Sequence, residues 1–115
     1  MPPNDARLED AGAWLNRAEL DLRAADLELG TPEAELWGDV AFHAQQAAEK
    51  ALKGFLALHD EPFRKTHSIE EIGGACIAID PGLGDLVYAA APLTEFAWKF
   101  RYPGDVGDGQ VPNDV

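Results

Sequence analysis

The side chains of this sequence that could hold an anionic ligand are concentrated in its middle. Residues 40–67 carry a formal charge of +1, whereas residues 1–39 and 68–115 carry −7 and −6. Because Lys, Arg, Gln and His donate the hydrogen bonds that phosphates accept, this segment is the least repulsive place for a nucleotide or an RNA. The candidate binding residues are Gln46, Lys50, Lys53, Arg64, Lys65 and His67, with Arg101 further along the chain.

Each of these residue types also has a plain structural role. Gln45 and Gln46 are good helix formers that could bridge two helices, and Lys50 and Lys53 are typical of a solvated helix face. His67 stands just before a helix start, where it can bond the backbone, and Arg101 can pair with an acidic helix. The residues alone leave the binding and structural roles open.

Metal and phosphate-loop patterns do not occur in the sequence. His43, His59 and His67 are never three or four residues apart and the chain has one cysteine, so we expect no metal site and no cofactor. Glycine-rich phosphate loops are absent as well. Cys76 could act as a nucleophile with His67 as its base, but free cysteine is among the most buried residue types. We therefore predict a core position for Cys76.

The first predicted element is a long helix from about Asn4 to Leu29. Asn4 or Asp5 can cap its start, and Gly30 can stop it in the left-handed conformation. Apolar residues in a 3-4 spacing predict one buried seam along it. The members of that seam are Leu8, Ala11, Leu15, Ala18, Leu22, Ala25 and Leu29.

A second helix is predicted from the Thr31–Pro32 start signal to about His59. Gly54 in its interior predicts a close approach to a neighbouring helix, since glycine otherwise weakens a helix. The residues expected to face the core are Ala41, Ala48, Leu52, Phe55 and Leu56. The residues expected on the opposite, polar strip are His43, Gln46, Lys50, Lys53 and Ala57.

Two further helices are predicted in the second half of the chain. Ser68 and Glu71 form a capping box that starts a helix ending near Ile79. Asp80–Pro81 then caps a fourth helix, which Pro92 must kink or split. Its expected buried residues are Leu86, Leu93, Phe96, Ala97 and Phe100.

These elements predict an all-α fold, an antiparallel up-and-down four-helix bundle over residues 1–103. Residues 104–115 are rich in Gly, Pro and Asp and predict an irregular acidic tail. With 115 residues and 46% hydrophobic side chains, the chain fits one globular domain. The net charge of −12 argues against duplex DNA as a partner. Charges interrupt every apolar run, so we expect no binding to membranes. The single cysteine fits a reducing compartment, so we expect a cytoplasmic protein.

The stretch from Phe42 to Lys53, FHAQQAAEKALK, resembles the signature helix of HEPN domains. The later strings KTHS at 65–68 and RYP at 101–103 match that family in order and spacing. The resemblance implies a four- or five-helix bundle that forms a homodimer and partners a minimal nucleotidyltransferase, in a toxin–antitoxin or stress-response pair. Similar proteins continue past Arg-Tyr-Pro with another helix, so the resemblance leaves two alternatives, a short variant of the family or a chain that has lost its last helix.

Many HEPN proteins are metal-independent ribonucleases, in which an arginine is followed four to six residues later by a histidine. Here Arg64 and His67 are separated by two residues, and no histidine follows Arg101. The resemblance therefore predicts a partner module rather than an enzyme. The alternative is a ribonuclease with His67 as general acid or base and Arg64 or Arg101 on the phosphate. A further alternative is binding of a small nucleotide without catalysis, by Lys50, Lys53, Arg64 and Lys65.

Overall fold

The computed structural model describes residues 4–30 and 36–101, without the side chains of residues 96 and 98–101. Its helices are α1 (Asp5–Leu29), α2 (Trp37–Leu58), α3 (Ile69–Ile79), α4 (Gly84–Ala90) and α5 (Pro92–Arg101). A 3-10 turn, Pro81–Leu83, precedes α4, and no strand occurs within the described ranges. The predicted all-α helical bundle is confirmed. The Thr31–Pro32 helix start, the tail at 104–115 and the side chains of Phe96, Phe100 and Arg101 lie outside the described residues.

Local signals in the sequence place the starts of α1 and α3. The Asn4 side chain accepts a hydrogen bond from the Arg7 backbone at 2.9 Å, and the Ser68 hydroxyl accepts one from the Glu71 backbone at 3.2 Å. The capping box is only half formed, however, because the Glu71 carboxylate pairs with Arg64 at 3.0 Å. The Ser68 backbone N–H donates instead to the Thr66 hydroxyl.

The end of α1 differs from the prediction. Gly30 has φ −73°, in the right-handed region, and its N–H donates to the Asp26 carbonyl. The helical hydrogen-bond pattern thus continues to Gly30, and no left-handed residue is needed there. The left-handed residue follows α2 instead: Asp60 has φ 54°, and the Glu61 N–H reaches back to the Leu56 carbonyl. This is the hydrogen bond of a Schellman motif, which turns the chain sharply at the helix end.

Helices α1 and α2 pack against each other in antiparallel fashion through small residues. The alanines of the predicted seam, Ala11, Ala18 and Ala25, are buried. A Cβ added at Gly54 of α2 would lie 3.1 Å from the Trp14 Cβ, so the predicted close approach is confirmed. The leucines of the seam were expected to be buried with the alanines, and they are exposed. The reason is that α1 has a substantial interface with α2 alone among the described helices.

The main hydrophobic core lies on the other side of α2. It consists of Leu52, Leu56, Ile69, Ile72, Cys76 and Val87. Ala48 and Phe55, both predicted to face the core, are partly buried against it. Helix α3 approaches α4 so closely that a Cβ added at Gly73 would collide with the Val87 side chain.

The fourth predicted helix is split at Pro92 into α4 and α5, as expected of an interior proline. The prediction that Leu86 is buried was wrong, since it is exposed and Val87 is buried instead. The 3-10 turn before α4 and the break after it change the helical phase on which the predicted face depended. Ala97 is fully buried, as predicted, while Trp37 is exposed and belongs to no core.

None of the helices within the described ranges is both long enough and apolar enough to span a membrane.

Candidate functional site

A row of polar side chains lies on the buried side of α2. Gln45, Glu49 and Lys53 are spaced four residues apart, which keeps them on one face of the helix. Their exposed fractions are 0%, 2% and 7%, respectively. The prediction that Lys53 lies on a solvated strip was therefore wrong. The chain at the end of α2 turns back and covers it.

Glu49 is the centre of this cluster and binds three partners. Its carboxylate accepts a hydrogen bond from Gln45 Nε2 at 3.0 Å and forms an ion pair with Lys53 Nζ at 2.9 Å. The Nδ1 atom of His67 lies 3.1 Å from Oε1 of the same carboxylate. A buried carboxylate is tolerated only when charges and hydrogen bonds replace the lost water, and these contacts supply both.

Gln45 ties the connection between α2 and α3 to this cluster. Its side-chain Nε2 donates to the backbone carbonyl of His67 at 2.8 Å as well as to Glu49. Its side-chain oxygen accepts from Gln46 Nε2 at 2.9 Å. The Gln45 amide therefore holds the backbone of His67 against α2, while the Glu49 carboxylate holds the His67 ring.

Lys53 is enclosed by two aromatic rings. Its ammonium lies 5.6 Å from the ring centroid of Trp14 and 5.8 Å from that of Phe63. The two rings meet edge to face with centroids 6.1 Å apart. The negative face of an aromatic ring attracts a cation, so the two rings add to the attraction that the Glu49 carboxylate exerts on the Lys53 ammonium.

The remaining candidate residues do not join this cluster. Lys50 forms an ion pair with Asp21 of α1 at 2.5 Å, on the α1–α2 interface. Arg64 is exposed and pairs with Glu71, and Lys65 is exposed. The backbone of Arg101 ends α5, and its side chain is not described. Of the seven candidate residues, the structure brings Gln46, Lys53 and His67 together, through Gln45 and Glu49.

Gln45 was expected only to bridge helices or contact a ligand, and no role was predicted for Glu49, although the sequence carries a signal for a buried pair. Both lie on the helical face of Ala41, Leu52 and Leu56, which was predicted to face the core. Polar residues at four-residue intervals on an apolar face predict a buried network of hydrogen bonds and ion pairs.

The cluster can hold an imidazole in one orientation. When His67 Nδ1–H donates to the Glu49 carboxylate, Nε2 becomes the basic atom of the ring, as in general acid–base sites. Only 15% of the His67 side chain is exposed, however, so little of it faces a substrate. The same contacts hold the α2–α3 connection against α2.

Cys76 is a core residue, as predicted. Its side chain is fully buried and its thiol lies 3.5 Å from the Leu52 carbonyl, to which it donates. Burial raises the pKa of the Cys76 thiol to about 11, which keeps it protonated at neutral pH. A protonated, buried thiol is a poor nucleophile. In the described part of the chain, no three His, Cys, Asp or Glu side chains are grouped as a metal ion requires.

A family model described as HEPN domain matches residues 11–110 of the chain. The matched range contains the signature-like helix, the KTHS string and the RYP string. No curated protein and no solved structure matches the chain.

Proposed function

The chain belongs to the HEPN domain family, and from that membership we propose that it is a homodimeric, non-enzymatic partner of a minimal nucleotidyltransferase. The pair would be of the toxin–antitoxin or stress-response type. The observation that carries this proposal is the burial of the polar side chains of α2 around Glu49. Residues that could do chemistry in the signature-like helix instead support the fold.

The role of this cluster as a support follows from its contacts. The Lys53 ammonium is already paired with the Glu49 carboxylate, and the same carboxylate already holds the His67 ring in one orientation. Gln45 holds the backbone at His67. An RNA phosphate would have to displace Glu49 from these groups, and an anion gains little beside a buried carboxylate.

The surface that we propose for the homodimer is on α4. Tyr88 is 85% exposed and lines a groove that α4 shares with α3, and Leu86, on the other flank of the same helix, is 63% exposed. An exposed tyrosine at the edge of a groove is typical of an interface anchor. Helix α2, in contrast, is covered by α1 on one side and by α3 and α5 on the other.

Size-exclusion chromatography with light scattering tests the dimer. We expect a mass of twice 12.4 kDa at micromolar concentration, and a shift toward monomer in a Leu86→Gln/Tyr88→Gln variant. A Leu20→Gln variant, with a comparable exposed leucine on α1, is the matched control and should remain dimeric. A monomer at every micromolar concentration would contradict the homodimer.

The nucleotidyltransferase partnership is tested at the gene and then at the protein. We expect a reading frame for a minimal nucleotidyltransferase beside the gene of this chain, and co-purification of the two products. Tagged nucleotidyltransferase that fails to retain this chain after co-expression would overturn the partnership, whatever the oligomeric state of the chain.

A second candidate function is a metal-independent ribonuclease, and one geometric observation favours it. The carboxylate of Glu49 lies 3.1 Å from His67 Nδ1, which orients the ring for acid–base chemistry. Arg64, its proposed phosphate-binding partner, points to Glu71 instead. Cleavage of a labelled RNA by the wild type but not by His67→Ala would support it. Equal cleavage by both, or cleavage by neither, would exclude it.

Nucleotide binding stays a prediction with weaker support. Its proposed phosphate ligands do not converge, since Lys50 pairs with Asp21 and Lys53 is buried on Glu49. Calorimetric titration with ATP and GTP tests it, with melting temperature as the second measurement. Absence of heat and of a melting shift would remove this function.

A further inference from the structure

Four leucines form a row along α1, spaced seven residues apart. Leu8, Leu15, Leu22 and Leu29 have exposed fractions of 52%, 52%, 56% and 65%. We call these four residues the leucine row. Single exposed leucines are common on protein surfaces, but a continuous row of them marks an interaction site.

The spacing of the leucine row indicates the shape of its partner. A seven-residue repeat keeps side chains on the line along which two helices pack, because it is close to two turns of helix. The row extends over 21 residues, which is about 32 Å of helix. A surface of this length and straightness fits another helix better than a loop or a small molecule.

The leucine row borders the interface between α1 and α2. The Cδ2 atom of Leu15 would lie 3.6 Å from a Cβ added at Gly54 of α2. The small side chains along that interface bring the two backbones close together. A helix lying on the row would therefore follow the edge of a rigid helix pair rather than a single isolated helix.

The charges beside the row favour a basic partner. Glu19 and Asp26 are exposed, and each follows a row leucine by four residues, so both flank the row on its outer side. Arg23 is exposed between them but further from the row, so this flank remains net negative. The whole chain carries −12. These charges disfavour a second copy of the chain as the partner. A two-fold axis between Leu15 and Leu22 would bring Glu19 of one copy next to Glu19 of the other. Like charges in such positions repel, whereas lysine or arginine would pair.

We propose that the leucine row is the docking surface for an amphipathic helix of a partner protein, with leucine-type residues facing the row and basic residues on its flanks. The inference rests on the proposed function in one respect, that this chain is a module that binds another protein. It uses neither the α4 surface nor the polar cluster at Glu49.

Binding of a synthetic helix to the full chain tests the inference. The probe has apolar residues at heptad spacing and lysine on both flanks, and its twin has glutamate in place of lysine. We expect the lysine peptide to bind at least about tenfold more tightly than the glutamate twin, and to weaken as salt is added. Fluorescence anisotropy of the labelled peptides gives both affinities.

Two double variants locate the binding surface. Leu15→Gln/Leu22→Gln changes the row, and Leu20→Gln/Leu27→Gln changes two leucines of α1 that are also exposed but lie outside the row. We expect the row variant to lose about tenfold or more in affinity and the control to stay within about twofold. Circular dichroism and melting temperature confirm that both variants fold.

Three results would overturn the inference. They are equal affinity for the two peptides, equal loss in both variants, and a drop in the mass of the free protein caused by the row variant, which would assign the row to self-association. None of these results depends on a nucleotidyltransferase. A failed co-purification would leave this inference standing, and failed peptide binding would leave the proposed dimer and its partner to their own tests.

Discussion

The two sides of α2 are packed in different ways. Toward α1, alanines and Gly54 allow the backbones to come close, and ion pairs such as Lys50–Asp21 lie along the interface. Toward α3 and α5, large aliphatic side chains form the main core, and the buried Glu49–Lys53 ion pair lies next to it, against His67 and the rings of Trp14 and Phe63. The large buried aliphatic side chains of the described residues belong to the second side. We therefore expect the stability of this bundle to depend mainly on that side.

Replacement of Glu49 should have the largest effect. Glu49→Leu leaves the ammonium of Lys53 buried without its carboxylate, and loss of one partner of a buried pair costs about 3–5 kcal/mol of unfolding free energy. Urea denaturation measures this loss. A Glu49→Leu/Lys53→Met variant, in which both charges are absent, should be clearly more stable than the single variant. If the double variant is no more stable, the ion pair is not the reason for the loss.

Truncation of one leucine on each side should give clearly different losses of unfolding free energy. Leu56→Ala empties a fully buried position in the main core and should lower the unfolding free energy by about 2–5 kcal/mol. Leu22→Ala, on the exposed row of α1, should change it by less than about 1 kcal/mol. Both values come from the same denaturation experiment. Similar losses in the two variants would mean that the α1 side carries as much stability as the core.

Two neighbouring glycines of α3 give a sharper comparison. A Cβ at Gly73 collides with Val87, so Gly73→Ala should cost about 1–3 kcal/mol. A Cβ at Gly74 meets no atom within 4 Å, so Gly74→Ala should stabilise the helix by roughly 0.5–1 kcal/mol. Melting temperatures should therefore move in opposite directions. A shift of the same sign in both variants would contradict the close approach of α3 and α4.

The Cys76 thiol predicts a pH dependence that belongs to the core side alone. Its pKa is raised by burial from 9.0 to about 11, so the folded chain holds this proton more tightly than the unfolded chain. The stability due to this group is complete below pH 9 and is lost as the pH rises toward 11, by up to about 2 kcal/mol. Cys76→Ala lacks this thiol, so its stability should fall less steeply over that window. A smaller fall remains because other groups also titrate there. Identical pH profiles would contradict a buried, protonated thiol.

Features determined by neighbouring residues could be predicted from the sequence. Asn4 and Ser68 cap their helices, and Pro92 splits the last predicted helix, since each acts on backbone groups within one turn. Periodicity also identified the alanines of α1 as buried. It could not show that the leucines between them are exposed, because periodicity gives the face of a helix and not what lies opposite that face.

The candidate site was predicted less well, for a physical reason. Lys53 is a charged residue type that usually lies in water, and Trp14 of α1 encloses it together with the return of Phe63 and His67 after α2. That return depends on the left-handed residue Asp60, which no glycine marks in the sequence. Contacts between residues this far apart depend on the whole chain path, so residue type alone gave the wrong environment.

Among the described helices, α1 has a substantial interface with α2 alone, and this has a consequence for local unfolding. A helix held on one side should open at a lower free energy than helices enclosed in the core, and its amide protons should exchange with solvent sooner than those of α2 and α3. A ligand that covers the leucine row would bind the closed form only and so slow that exchange. Amide exchange rates along α1 would then report occupancy of the row.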